Sequence, residues 1–259
     1  MVLCLDIGNT DIDVGVFTDG ELTDMFTMEY VKGQQSWSYI EPIRRSFADH
    51  GIDIGKVEEC VLCSVVHNTT RGFFMALSEI LGFTPRLFTN DSIRDMTVKV
   101  GNPQEVGVDI RAGCLAVKEK YALPAIVIDM GTATSVTAMD ADGAILGVSI
   151  LTGVITSLKA LGDRTGLPVD LSLKVPEKAI GTDTPEALAS GAVLGSAYMI
   201  DGMIDRFRKE MGTDATVYAT GGVAKIIFPL CKNPAVINNH LIFDGLYIYH
   251  EKIKALEKE

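Results

Sequence analysis

The sequence predicts an α/β fold built from two related halves. Apolar strand-like runs alternate with helix-spaced segments, and one strand–turn–strand motif occurs twice. The composition fits a globule with a large core: of 259 residues, 47% are hydrophobic and 22% charged. That is too apolar for a disordered chain.

The elements follow in order. Leu3-Cys4-Leu5-Asp6-Ile7-Gly8-Asn9-Thr10 reads as a buried strand ending in a polar turn. A second strand spans Ile12 to Phe17, Thr18-Asp19-Gly20 forms a turn, and a third strand starts near Glu21. Apolar positions at Ile40, Ile43 and Phe47 predict a helix from Trp37 to His50. Then come a strand over Val57 to Val66, a helix over Arg71 to Leu81, a short strand at Pro85 to Phe88 and a helix over Val108 to Tyr121. Val127-Ile128-Asp129-Met130-Gly131-Thr132 repeats the opening motif, with strands at Thr134 to Met139 and from near Ala144. A long helix is expected over Thr184 to Met211, a strand at Thr216 to Ala219, a helix start at Val223 to Pro229 and a last helix from about Phe243 to Lys258. Thr184-Pro185-Glu186 suits a helix start, with Thr capping, Pro in the first turn and Glu facing the dipole. Gly191-x-x-x-Gly195 suits close helix packing. The halves divide near Ala122-Leu123-Pro124, giving 1–121 and 122–259.

Thirty-four acidic against 23 basic residues give a net charge of −11, which argues against a direct nucleic-acid reader. No uncharged apolar run approaches the length of a membrane span, and Asp6 interrupts the N-terminal apolar run too early for a signal peptide. A cytoplasmic protein is expected. Five cysteines are too few, and odd in number, for a disulfide scaffold. Cys60 and Cys63, near His67, invite a zinc reading, but strand residues three apart face opposite ways; they are expected in the core.

The repeated turn is suited to phosphate. Gly8 and Gly131 leave room for an anion and permit unusual backbone conformations, and Thr10 and Thr132 supply hydroxyl donors. Asp6 and Asp129 repel phosphate but hold cations, with Mg²⁺ favouring carboxylates and retained waters. Two such hairpins facing across a cleft would grip a triphosphate. Tyr218-Ala219-Thr220-Gly221-Gly222, between a strand and a helix, would let adenosine lie close to the backbone.

With these motifs in this order, the chain resembles the actin–hexokinase–Hsp70 superfamily of duplicated, ribonuclease H-like ATP-binding domains, with mixed sheets flanked by helices. Within it the sequence looks like a type III pantothenate kinase. The resemblance rests on Asp6-Ile7-Gly8-Asn9-Thr10, Asn102-Pro103-Gln104-Glu105-Val106-Gly107-Val108-Asp109, Asp129-Met130-Gly131-Thr132, Leu167-Pro168 and Ile180-Gly181-Thr182-Asp183-Thr184. It implies ATP along Asp6 to Asp13, including Gly8, Asn9 and Thr10, and at Gly131, Thr132, Gly221 and Gly222. It implies a monovalent cation (K⁺ or NH₄⁺) at Asp129 and Mg²⁺ at Asp6, directly or through water. Asp109 would be the general base, and Gly107, Val108, Asp109, Ile110 and Thr184 would contact pantothenate or an analogue. A homodimer is implied as well, with the reaction opening coenzyme A synthesis.

The substrate side departs from the family pattern. The family's Gly-x-Asp-Arg, followed after two residues by Asn, is here Gly107-Val108-Asp109-Ile110, with arginine shifted to Arg111 and Gly113 in place of Asn. Val100 stands where a tyrosine is expected, and His67 replaces a proline and is expected in an exposed loop. One step along a helix turns a side chain by about 100°, so Arg111 is no automatic substitute. These changes raise two alternatives: a nucleotide-binding regulatory paralogue acting through a protein partner, or a phosphotransfer enzyme for another small hydroxyl compound.

Overall fold

A computed structural model describes residues 1–92 and 96–258. The chain forms two compact units. The first comprises Met1–Asp95, Gln104–Ala116 and Ile242–Glu259, and the second Met96–Pro103 and Val117–Leu241.

In the first unit β1 (Val2–Ile7), β2 (Asp11–Thr18) and β3 (Glu21–Glu29) form an antiparallel meander. β4 (Glu59–Ser64) and β5 (Arg86–Leu87) add parallel to β1, giving the order β3-β2-β1-β4-β5. β1 is central and buried on both faces, which is why it reads as a continuous apolar run broken only at Asp6. Helices α1 (Ser36–Asp49) and α2 (His67–Leu81) cover one face, where Leu3, Leu5, Cys60 and Leu62 pack with Ile43, Phe47, Phe73 and Leu77. α3 (Val108–Lys120) starts in this unit and leads into the second.

The second unit repeats the topology. β6 (Ala125–Met130), β7 (Ala133–Met139) and β8 (Ile145–Thr152) are antiparallel, and β9 (Thr216–Thr220) and β10 (Val236–Ile237) run parallel to β6, in the order β10-β9-β6-β7-β8. α4 (Val154–Thr165) follows β8. The long helix predicted from Thr184 is continuous as α5 (Thr184–Ala189), a π turn (Ser190–Leu194) and α6 (Gly195–Met211). A short α7 (Ala224–Ile227) precedes β10, and α8 (Leu241–Leu256) ends the chain. Val193, Ala197, Ile200 and Ile204 join Ile126, Ile128, Val136 and Val217 in this unit's core.

Several expectations are corrected. The boundary between 1–121 and 122–259 misplaces α8, which packs in the first unit: its backbone at Gly245 lies against the Ala112 carbonyl of α3, and Phe243 lies 2.8 Å from where a Gly15 Cβ would sit. α2 begins at His67 rather than Arg71, so His67 opens a helix instead of lying in a loop. β4 is shorter than Val57 to Val66. α4 was not anticipated at all. Asp183, not Thr184, caps α5: its carboxylate accepts the Glu186 N–H at 2.9 Å, and Thr184 and Pro185 open the first turn. Gly191 and Gly195 face open space in the protomer, with nothing within 4 Å of an added Cβ.

Candidate active site

The first Asp–Gly loop joins β1 to β2. It is a tight turn in which the Gly8 N–H donates to the Asp11 carbonyl at 3.0 Å. Neither Gly8 nor Gly131 adopts a left-handed φ, so the expected conformational reason for these glycines is overturned. At Gly8 the reason is space: a Cβ would sit 3.2 Å from the Asp11 carbonyl oxygen.

Strand register places a row of polar groups at the base of this loop. Asp6 is paired with Asp13 on β2 and with Cys63 on β4, and Asp13 with Thr27 on β3. Directly opposed residues point to the same sheet face. The Cys63 thiol donates to Asp6 Oδ1 at 3.2 Å, and the Thr27 hydroxyl donates to Asp13 Oδ1 at 2.5 Å. Burial, then the nearby charges of Asp6 and Asp109, push the Cys63 thiol well up, so it stays a protonated donor. Cys60 instead packs in the core on the opposite face, as expected for strand residues three apart.

Asp109 lies in the first turn of α3, half-buried, with Oδ1 accepting the Ile110 N–H at 2.8 Å. Its carboxylate folds back over Gly107, where an added Cβ would collide with Oδ1. Burial raises the Asp109 carboxyl above its ordinary value, and the backbone N–H bonds oppose the rise. A raised carboxyl at a helix start, sharing one buried thiol's surroundings with Asp6, has the character of a proton acceptor. Arg111, the displaced arginine, is buried and donates from Nη1 to the Asn90 carbonyl at 2.9 Å. It is committed to the loop after β5, and burial lowers its pKa.

The second loop, Gly131-Thr132, joins β6 to β7, with the Gly131 N–H donating to the Ala133 carbonyl at 3.0 Å. Half-buried Asp129 pairs with Ser135 and Thr220, and its Oδ1 lies 3.8 Å from where a Gly131 Cβ would sit. Two contacts fix this loop. The Gly153 N–H and the Thr156 hydroxyl donate to the Thr132 carbonyl at 3.1 and 2.7 Å, bringing the start of α4 against it. Gly153 permits this approach, since a Cβ there would lie 2.5 Å from the Thr132 oxygen. Gly221, at φ +94°, packs against the Met130 backbone, where a Cβ would meet N, C and O at 2.6 Å; Gly222 meets nothing. Gly153 and Thr156 were missed from sequence, though Val154 and Leu158, one turn apart and both buried, were a readable helix signal.

The donor sets suit hard cations. Asp6 beside Asp13 offers carboxylate oxygens of the kind Mg²⁺ takes through retained waters, and Asp129 offers one carboxylate near loop backbone. Among the described residues, no three His, Cys, Asp or Glu side chains are arranged to hold a metal. A bound cation would therefore draw most of its ligands from water and phosphate.

The two repeated β-sheet units have the actin-like ATPase fold. Similar solved structures include a putative Baf family transcriptional activator of Campylobacter jejuni (TM-score 0.62, 18% identity, covering 98% of this chain and 99% of that one). MreB 5 of Spiroplasma citri bound to AMPPNP is another (TM-score 0.58, 11% identity, 99% and 98%). The type III pantothenate kinase pattern matches residues 2–206. The type III pantothenate kinase of Thermomicrobium roseum is 33% identical over 256 residues, 98% of each chain, and that of Exiguobacterium sibiricum is 31% identical over 98% of this chain and 100% of its own. The chain belongs to the type III pantothenate kinase family.

Proposed function

We infer that this chain transfers the γ-phosphoryl group of ATP to the primary hydroxyl of pantothenate, the entry step of coenzyme A synthesis. The family match carries this reading, because residues 2–206 include both Asp–Gly loops and Asp109. Phosphoryl transfer asks mainly for alignment and charge neutralisation. In this reading Gly8, Asn9 and Thr10, with Gly131 and Thr132, serve the phosphates, and Gly221 and Gly222 serve adenosine. Gly107, Val108, Ile110 and Thr184 line the substrate. Asp109 orients the attacking hydroxyl and accepts its proton. Asp6 would hold Mg²⁺ through water and Asp129 a monovalent cation; bound, these would offset the phosphate charge. The regulatory alternative draws no support from the relatives, which carry the kinase name over nearly their full lengths.

We further propose a cytoplasmic homodimer. The helix from Thr184 to Met211 is long and apolar enough to cross a membrane. Its buried side includes Asp201, which accepts the Lys232 and Asn233 backbone N–H groups at 2.9 Å each, as in a core helix of a soluble domain. Its exposed side carries Gly191, Gly195, Tyr198 and Gly202, small residues flanking an aromatic that is 65% exposed. A second copy packed there would cover them. Light scattering tests the dimer, and an ATP-dependent assay on pantothenate and pantetheine, with and without K⁺, tests substrate and cation. Turnover of pantetheine with none of pantothenate would overturn the substrate assignment.

A further inference from the structure

The first loop poses an electrostatic difficulty. Residues Asp6 to Asp13 include three carboxylates, Asp6, Asp11 and Asp13, and no Lys or Arg. A triphosphate approaching this loop meets like charge that one Mg²⁺ at Asp6 would offset only in part, and the backbone turn offers only partial positive charges.

The segment after β3 brings a cation to the loop. β3 runs antiparallel to β2, and its last register pair is Asp11 with Glu29, so the next residues continue past the loop. The Tyr30 hydroxyl donates to the Gly8 carbonyl at 2.7 Å. The Tyr39 hydroxyl donates to the Val31 carbonyl at 2.9 Å and accepts the Gln34 N–H at 3.0 Å. The Gly33 N–H donates to the Thr69 hydroxyl at 3.3 Å. Residues 30–34 are thus tied to the loop on one side and to α1 and α2 on the other. From this held backbone, exposed Lys32 reaches over and donates from Nζ to Asn9 Oδ1 at 3.2 Å.

We propose that Lys32 is the phosphate-binding cation of the first loop, with Tyr30 as the residue that positions the loop beneath it. An ammonium carries three donors, so Lys32 can keep its bond to Asn9 while it contacts a phosphate oxygen. The proposal rests on the nucleotide reading of this loop and adds a residue to it.

The test is equilibrium binding of ATP, ADP and adenosine to the full chain and to Lys32→Met, Lys32→Arg and Tyr30→Phe. Lys32 is exposed and outside the core, so its variants are expected to melt like the parent. Lys32→Met should weaken ATP about tenfold and leave adenosine within about twofold, because adenosine carries no phosphate charge. Lys32→Arg should retain most of the ATP affinity, and the deficit of Lys32→Met should shrink at high salt. Tyr30→Phe should weaken ATP with the Lys32 charge intact. Equal ATP affinity of the parent and Lys32→Met would overturn the proposal, as would a parallel loss of adenosine. If the parent bound no ATP at all, the nucleotide reading itself would fall, a result distinguishable from either.

Discussion

Replacing Gly221 and Gly222 one at a time separates two neighbours that look alike in the sequence. Gly221 sits at φ +94°, and a Cβ there would lie 2.6 Å from three backbone atoms of Met130. An L side chain in left-handed backbone costs roughly 1–2 kcal/mol. Relieving a clash with backbone, which cannot rotate aside, adds about 1–3 kcal/mol. Gly221→Ala should therefore lose about 2–5 kcal/mol, and at roughly 2–4 °C per kcal/mol for a chain of this size it should melt about 4–20 °C lower. Because the displaced atoms belong to Met130, next to Gly131, ATP binding should weaken as well. Gly222 has no neighbour within 4 Å of an added Cβ and no positive φ; Ala there should be neutral or stabilising by up to about 1 kcal/mol. Differential scanning calorimetry on both variants decides it. Equal melting temperatures would refute the claim that Gly221 is held by close approach to β6.

Three further outcomes follow from individual groups. The Thr134 hydroxyl is buried without a hydrogen-bond partner, so Thr134→Val should leave stability unchanged or raise it by about 1 kcal/mol in urea denaturation. Asp183→Ala should cost about 1 kcal/mol by the same method, because it removes the cap on the Glu186 N–H. For Asp109, whose pKa burial raises, the ionised form is the disfavoured one in the fold. The contribution of Asp109 to stability is therefore fully present below about pH 3.9, the ordinary aspartate value, and is lost as pH rises through the raised folded value. Asp109→Asn should be the more stable protein at about pH 7, with the advantage vanishing in acid. The acid limb of the wild-type kcat/KM profile should have its midpoint above the ordinary carboxylate range.

Much of this arrangement was legible because it is local. Leu3 to Thr10 and Val127 to Thr132 announce themselves by apolar runs ending in Asp-x-Gly, and the matched sheet orders confirm the repeat. What escaped depends on contacts distant in sequence. Nothing near Phe243 indicates that α8 returns to Gly15 and Ala112. The π turn from Ser190, where the hydroxyl donates to the Ala179 carbonyl at 2.6 Å, leaves no mark on the apolar spacing. α4 carries a helix signal in Val154 and Leu158, but that Gly153 and Thr156 fix the second loop depends on their bonds to the Thr132 carbonyl, distant in sequence. The sequence shows Arg111 displaced by one position, but not that its guanidinium donates to the distant Asn90 carbonyl.

In the proposed reaction Asp109 takes the proton from pantothenate's hydroxyl while the two loops handle ATP. Transfer of labelled γ-phosphate from ATP to pantothenate, followed by chromatography for the wild-type chain and Asp109→Asn alongside ATP-binding measurements on both, tests it most directly. Phosphorylated pantothenate is expected from the wild-type protein and none above background from Asp109→Asn, with ATP affinity retained within about threefold. Undiminished transfer by Asp109→Asn, or no product from the wild-type chain, would contradict it.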